Sequence, residues 1–192
     1  MRPFLAAPAL VLTAVLAAAT PALAAPAPAW TVDKAASKVA FSSTFDGEKF
    51  AGSFRRWDAQ IRFDPKNLAG STAVVSIDTA SAVTGDADRD SALPDVKWFS
   101  AKAFPKATFR TTGFKALGGN RYQAVGSLTL RGVSKPLTLP FTLVITGSQA
   151  KMNAQVSVSR LAFGVGQDEW KATSVIPDPV TVMIAVSARR AP

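Results

Sequence analysis

Apolar and polar residues alternate along most of the chain beyond residue 29. In residues 57–64, for example, Trp57, Ala59, Ile61 and Phe63 alternate with polar or charged neighbours. A period of two residues is typical of strands that bury one face and expose the other. The pattern predicts eight such strands, at residues 37–45, 57–64, 73–79, 106–114, 121–130, 136–146, 151–160 and 180–188.

The connections between most of these strands are short and rich in turn-forming residues. Examples are residues 117–120 (LGGN), 131–136 (RGVSKP) and 146–149 (TGSQ). Parallel strands need a crossover of a dozen or more residues, so short connections favour antiparallel neighbours. The pattern therefore predicts an all-β fold, an eight-stranded antiparallel barrel that removes its own edges. A two-sheet sandwich fits the same pattern and stays open as the alternative.

Residues 86–100 form the one region that does not alternate. Four aspartates lie within residues 86–95, which invites comparison with a calcium loop. Such a loop needs glycine at its sixth position and glutamate at its twelfth, where this chain has Ser91 and Lys97. Asp86 instead suits a helix N-cap, Asp88 suits the first turn, and Pro94 ends the helix. We therefore expect a short helix and no metal site.

The N-terminus predicts an exported protein. Arg2, an apolar run and small residues before position 25 describe a signal peptide over residues 1–24, cleaved after Ala24. Residues 25–29 are then predicted to be an alanine–proline tether. A single domain follows over residues 30–190, a length that suits one sizeable core.

Composition narrows the chemistry that this domain can perform. The chain has neither cysteine nor histidine, which excludes disulfides, thiolate chemistry and every histidine-based triad. Removing residues 1–24 takes away one arginine, leaving 21 basic and 13 acidic side chains and a formal charge of +8. This charge favours anionic surfaces, and for an exported protein we expect a membrane surface rather than nucleic acid.

Several predicted strands carry small residues on their inward faces, among them Ala124 and Gly126. An eight-stranded barrel is about the size at which the interior either packs solid or encloses one small ligand. Small residues fit both a solid core and an apolar tunnel, so both readings stay open. Residues 163–170 (FGVGQDEW) lack a phosphate-loop pattern, and we expect an irregular loop that places Phe163 and Trp170 at the barrel mouth.

Three long stretches resemble the YceI-like family of bacterial polyisoprenoid-binding proteins. They are residues 75–112 (VSIDTASAVTGDADRDSALPDVKWFSAKAFPKATFRTT), 126–141 (GSLTLRGVSKPLTLPF) and 159–186 (SRLAFGVGQDEWKATSVIPDPVTVMIAV). The resemblance implies an extended, lipocalin-like barrel with a helical insertion at about residues 86–100. It also implies a periplasmic location and an apolar tunnel for an isoprenoid or quinone chain. The histidines that many members carry in their first strands are missing here.

Together these observations lead to one function hypothesis: a periplasmic, non-enzymatic carrier of a long-chain isoprenoid lipid, without cofactor or metal. The resemblance adds a cytochrome b561-type membrane protein as a partner, and an elongated barrel allows a homodimer. A solid-cored protein-interaction module is the alternative, and an enzyme acting on a bound lipid without histidine or cysteine is a second. The residues predicted to line the tunnel are Phe41, Ile61, Phe63, Val75, Ile77, Trp98, Phe99, Phe109, Ala124, Gly126, Leu128, Leu139, Phe141, Met152, Phe163 and Trp170.

Overall fold

The computed structural model describes residues 25–192 as ten strands joined by turns and one short α-helix, α1 (Ala87–Ala92). The strands fall within or around the alternating segments, and two of them lie outside any segment predicted from the sequence. The strands are β1 (Ala29–Phe45), β2 (Glu48–Phe54), β3 (Trp57–Arg62), β4 (Thr72–Asp78), β5 (Ala82–Val83), β6 (Lys106–Ala116), β7 (Arg121–Leu130), β8 (Val133–Thr146), β9 (Gln149–Ser159) and β10 (Pro179–Arg190).

Eight of these strands close into an antiparallel barrel in the order β1-β3-β4-β6-β7-β8-β9-β10, and β10 pairs back onto β1. The closing ladder runs from Trp30 opposite Arg190 to Ser42 opposite Thr181. The all-β fold and the eight-stranded barrel are thus confirmed. Closure also rules out the two-sheet sandwich, because in a sandwich β1 and β10 would be unpaired edge strands.

Strand β2 was not predicted, because a glycine interrupts its apolar face. Phe50 and Phe54 are partly buried, with Gly52 between them. A Cβ atom at Gly52 would collide with the ring of Phe41 on the neighbouring β1, so the missing side chain is what lets that ring pack. Strand β2 forms a hairpin with β1 and carries the two-residue β5 on its other edge.

Strand β1 is irregular in its middle. It pairs with β3 only at Ala29–Trp30 and with β2 only from Ala40 onwards, and its register on β10 shifts between Asp33 and Lys38. The side chain of Lys34, within this irregular part of β1, contacts Trp57 on β3. Its Nζ donates to the Trp57 carbonyl oxygen at 2.6 Å and lies 3.9 Å from the centre of the Trp57 ring.

The aspartate-rich segment forms the predicted helix. The Asp86 side chain caps it by accepting from the Arg89 amide at 2.9 Å. Helix α1 ends at Ala92, with Leu93 as its C-cap, because the next residue, Pro94, has no N–H to continue the helix. Within residues 25–192 no cluster of three or more metal-ligating side chains is suited to a metal ion.

Part of the segment predicted to be a tether, residues 25–29, packs against the barrel. Ala27 is 1% exposed and its amide donates to the Gly70 carbonyl at 3.0 Å. The Asn67 side chain reaches the Ala25 carbonyl at 2.7 Å. The predicted signal peptide at 1–24 lies outside the described residues. No helix among the described residues has the length and apolar character needed to span a bilayer.

Candidate ligand-binding cavity

The barrel encloses a cavity of about 280 Å³. Its wall consists almost entirely of aliphatic and aromatic side chains from the inward face of every barrel strand, together with β2. The interior is therefore not filled by its own side chains, in contrast to the solid-core reading. Along β9 the lining runs from Ala150 to Val158 and continues to Arg160 just beyond the strand. The nine residues from Ala150 to Val158 cover ~26 Å of extended chain, so the apolar lining follows nearly the whole of β9.

Two connecting segments, residues 93–104 and 160–178, cover one end of the barrel and are called the roof here. Leu93, Trp98 and Phe99 from the first segment and Val165 and Ile176 from the second line the cavity. The lining therefore continues from the strands into the roof, and the roof supplies both aromatic and aliphatic surface.

Backbone hydrogen bonds join the two roof segments to each other and to the strands. The Lys97 carbonyl accepts from the amides of Gly166 and Gln167 at 2.9 and 2.8 Å. The Val175 carbonyl accepts from the Asp46 amide in the β1–β2 turn at 2.9 Å. The roof is thus anchored at several points that lie far apart in the sequence.

An exposed ion pair adds to this connection. Lys97 Nζ lies 2.8 Å from Glu169 Oε1 and 3.6 Å from Asp168 Oδ2. The hydrogen bond to Glu169 raises the pKa of Lys97, and the same bond lowers the pKa of Glu169. Both groups therefore stay charged at neutral pH, although solvent screening keeps the contribution of such a pair small.

Arg160 is a buried cation at the roof end of the cavity. It is 4% exposed, and its guanidinium donates to the carbonyls of Val165, Ile176 and Pro177 at 3.1, 2.8 and 3.1 Å. Burial lowers the pKa of Arg160, while the charge of Asp178 acts in the opposite direction. Arginine nonetheless remains protonated in proteins, so a positive charge lies beside the apolar chamber.

An aromatic cluster packs at the opposite end. The Phe63 ring meets Phe114 edge-on at 5.1 Å and Tyr122 at 5.5 Å, and Tyr122 stacks on Phe141 at 5.5 Å. Trp30 joins the cluster through its indole N–H, which donates to the Phe63 carbonyl at 2.9 Å. The two ends of the cavity therefore differ: one is aromatic, and the other carries a buried charge.

Thirteen of the sixteen residues predicted from the sequence line the cavity: Phe41, Ile61, Phe63, Val75, Ile77, Trp98, Phe99, Phe109, Ala124, Leu128, Leu139, Phe141 and Met152. Trp98 and Phe99 lie in the roof, where the family resemblance placed them. The other eleven line the cavity because the period-two pattern fixes which face of each strand segment points inward. Their role in binding a ligand stays a prediction.

The other three, Gly126, Phe163 and Trp170, lie outside the lining. Gly126 faces the backbone of β6, whose Thr111 Cα would lie 2.9 Å from an added Cβ, so it serves close strand packing. Phe163 is buried in a 3-10 turn (Leu161–Phe163) and packs in the core behind the wall. The Trp170 ring lies on the outer side of Trp98, at 5.4 Å between ring centres.

Sequence reasoning missed several lining residues. Phe50 and Phe54 belong to the unpredicted β2, while Leu93, Val165 and Ile176 belong to the roof, where no periodicity marks an inward face. Trp57 and Ala59 also line the cavity. They lie in a predicted strand, and the alternation of that strand had identified them as inward-facing. The roof residues carry no local signal of this kind.

Three polar side chains also reach the cavity, namely Ser43, Thr111 and Arg160. The Thr111 hydroxyl exchanges hydrogen bonds with the backbone of Ala73 on β4, at 2.8 and 3.2 Å. Ser43 is different: its Oγ is buried and has no hydrogen-bond partner among the described residues.

A closed antiparallel barrel with an apolar, ligand-sized interior defines the lipocalin-like class of β-barrels. Within that class, the model of the YceI-like domain matches residues 30–188. The chain belongs to the YceI-like domain family, and the resemblance seen in the sequence is confirmed.

Relatives and solved structures agree with this assignment. The chain is 40% identical over 97 residues to a UPF0312 protein of Yersinia pestis, an alignment that covers 50% of each protein. This match therefore spans about half the length of that curated relative. A UPF0312 protein of Vibrio cholerae is 30% identical over 119 residues, which is 62% of this chain and 53% of the relative.

Among solved structures, BcnA of Burkholderia cenocepacia superposes with a TM-score of 0.79 at 35% identity, covering 81% of this chain and 98% of BcnA. The Campylobacter jejuni YceI protein gives 0.67 at 25% identity, covering 73% and 85%. A polyisoprenoid-binding domain of Saccharophagus degradans, implicated in plant cell wall breakdown, gives 0.68 at 14% identity, covering 85% and 99%. At that identity the likeness shows the fold alone.

Proposed function

We propose that this protein binds and carries a long-chain isoprenoid lipid, such as a polyprenyl lipid or a quinone tail, in the barrel cavity. The observation that carries the proposal is the continuous apolar lining from the aromatic cluster to the roof. A lining that follows nearly the whole of β9 suits an extended chain better than a compact molecule. The polyisoprenoid-binding domain of Saccharophagus degradans has this fold, so the fold is compatible with a ligand of that class.

Burial of the chain supplies the driving force. Each methylene moved from water into an apolar chamber contributes ~0.8 kcal/mol, so a long isoprenoid needs few polar contacts to bind tightly. A binding role is favoured over catalysis, because the chamber wall is nearly free of groups that transfer protons. Its three polar side chains are a serine, a threonine and an arginine.

We place this activity in the periplasm, on the strength of the signal-peptide pattern in residues 1–24. The excess of basic side chains suits a transient contact with an anionic membrane, where an isoprenoid is loaded or released. A carrier of this kind needs no enzymatic step, since loading and release follow from the relative affinities of cavity and bilayer.

The primary test is native mass spectrometry of protein purified from its own host without detergent, followed by organic extraction. We expect a mass excess that extracts as a polyprenyl or quinone species. An empty protein that also fails to take up added isoprenoids would contradict the proposal and favour an interaction module.

A blocked variant tests the location of the ligand. Ala59 on β3 lines the cavity, while its neighbour Gln60 is exposed on the outer face. Ala59→Trp should lower uptake of an added isoprenoid by at least tenfold, because the indole occupies the chamber. Gln60→Trp should bind as the wild type does. Equal binding by two folded variants, checked by circular dichroism, would place the ligand elsewhere.

A further inference from the structure

The roof end of the cavity contains hydrogen-bond donors that the protein itself does not use. Ser43 Oγ is buried and has no partner among the described residues. A buried hydroxyl without a partner costs free energy, so native structures rarely keep one without a reason. The side chains of the cavity wall are almost all apolar and offer this hydroxyl few partners.

Strand register places Ser43 and Arg160 at the same end of the barrel, on or just beyond the strands that flank β10. Ser42 lies opposite Thr181 on β10, and Thr181 lies opposite Ser157 on β9. Ser43 is therefore level with the last residues of β9, and Arg160 directly follows that strand. Both residues line the cavity, so the two polar groups belong to the same end of it.

Arg160 adds donors and positive charge to this end. A guanidinium has five N–H groups, and three hydrogen bonds to roof carbonyls leave two of them unused. No carboxylate within residues 25–192 forms a contact ion pair with it. In a low-dielectric site, such a charge favours a nearby acceptor oxygen.

We infer that Ser43 and Arg160 form a polar subsite that holds an acceptor oxygen at one end of the bound chain. The Ser43 hydroxyl turns to the ligand by rotation about χ1, which moves between staggered positions. The inference rests on the proposed lipid-binding function and adds the orientation of the ligand in the cavity. The ligand is an amphiphile whose compact hydroxyl, ether or carbonyl group lies beneath the roof. Its apolar chain extends towards the aromatic cluster.

A matched pair of probes separates this subsite from chain burial. Geranylgeraniol carries a terminal hydroxyl, and the corresponding C20 hydrocarbon lacks only that oxygen. Trp30, Trp57 and Trp98 line the cavity, so their fluorescence reports binding of either probe. The wild type should bind the alcohol more tightly than the hydrocarbon, relative to each probe's partition into a reference bilayer.

The test variant is Ser43→Ala, with Ser42→Ala as its control on the outer face of the same strand. Ser43→Ala should weaken binding of the alcohol roughly two- to tenfold, the range of one hydrogen bond, and should leave hydrocarbon binding unchanged or tighter. Ser42→Ala should alter neither affinity. The fold of each variant is checked by its melting temperature.

The outcomes distinguish the two proposals. If Ser43→Ala binds both probes with the wild-type ratio, the polar subsite is wrong and lipid binding stands. If the wild type binds neither probe, nor any longer isoprenoid, both proposals fall. A selective loss of alcohol affinity in Ser43→Ala alone establishes the subsite.

Discussion

Two glycines, Gly52 on β2 and Gly113 on β6, have opposite packing environments. An added Cβ at Gly52 would meet the Phe41 ring, with its Cε2 atom at 2.8 Å, and the Val83 carbonyl oxygen at 2.7 Å. At Gly113 on β6 an added Cβ meets nothing within 4 Å. The first glycine is a packing requirement, and the second is not.

Alanine substitutions make this difference measurable. Gly52→Ala should lower the free energy of unfolding by about 1–3 kcal/mol, because overpacking displaces the Phe41 ring or the β5 backbone. Gly113→Ala should be neutral or stabilise by up to about 1 kcal/mol, since it restricts the unfolded chain. Urea denaturation of both variants checks this. An equal loss in both would mean that strand geometry, rather than Phe41, is decisive.

The contact between Asp78 and Arg56 predicts how the stability of the folded state changes with pH. Arg56 Nε donates to Asp78 Oδ2 at 2.8 Å, and this hydrogen bond holds the pKa of Asp78 below its ordinary value of 3.8. Because the folded state favours the ionised form, the stabilisation is complete above the ordinary pKa. It disappears as the pH falls through the lower, folded-state pKa.

Asp78→Asn should therefore be less stable than the wild type at neutral pH, and the difference should vanish in acid. The effect should stay below about 1 kcal/mol, because the two side chains are 63% and 36% exposed and solvent screens the pair. Urea midpoints from about pH 6 downwards provide the measurement, with exposed Asp95→Asn as control. A difference that persists at the lowest pH would rule out the charge as its cause.

At the scale of elements, helix α1 shows what the aspartate cluster does. Asp86 Oδ1 caps the helix, and Asp90 accepts from the Thr84 amide at 2.6 Å and the Thr84 hydroxyl at 2.7 Å. Both carboxylates are thus engaged in local backbone and side-chain contacts. Their spacing reflects helix initiation rather than ligation of an ion.

Removing the cap gives the corresponding prediction. Asp86→Ala should destabilise the protein by ~1 kcal/mol, the usual loss of an N-cap. Asp86→Asn should lose less, because the amide oxygen still accepts. Millimolar calcium should not shift the melting temperature of the wild type, since only a bound ligand stabilises the folded state. If calcium raised the melting temperature of the wild type but not of Asp86→Ala, the aspartate cluster would be a metal site.

The same scale shows why the sequence predicts most of the barrel but not its roof. Alternation marks the inward face of a strand locally, which is why Val75, Phe109 and Met152 could be placed before the structure was known. Strand β2 was not predicted because Gly52 interrupts the alternation of apolar residues. The glycine is required by the Phe41 ring, which lies on another strand. The roof depends on contacts such as Lys97 to Glu169, 72 residues apart, and local patterns carry no information about them.

At the scale of the whole molecule, the excess of basic side chains predicts a measurable membrane contact. Residues 25–192 should bind phosphatidylglycerol vesicles at low ionic strength and dissociate as salt is raised towards ~1 M, where screening shortens the Debye length to about 3 Å. Phosphatidylcholine vesicles should bind weakly throughout. Cosedimentation measures both. Salt-insensitive binding, or equal binding to the two lipids, would contradict an electrostatic contact.

The closing ladder between β1 and β10 also governs how the protein folds. It joins residues 139 to 160 positions apart, from the pair Ser42–Thr181 to the pair Trp30–Arg190, and long-range pairing of this kind slows folding. Until β10 has been synthesised, β1 and β9 each keep an unpaired edge, and the apolar lining faces solvent. The closed chamber is therefore complete only after β10 has paired with both β1 and β9. The lipid-carrying function proposed above therefore requires that the barrel close before a lipid is enclosed.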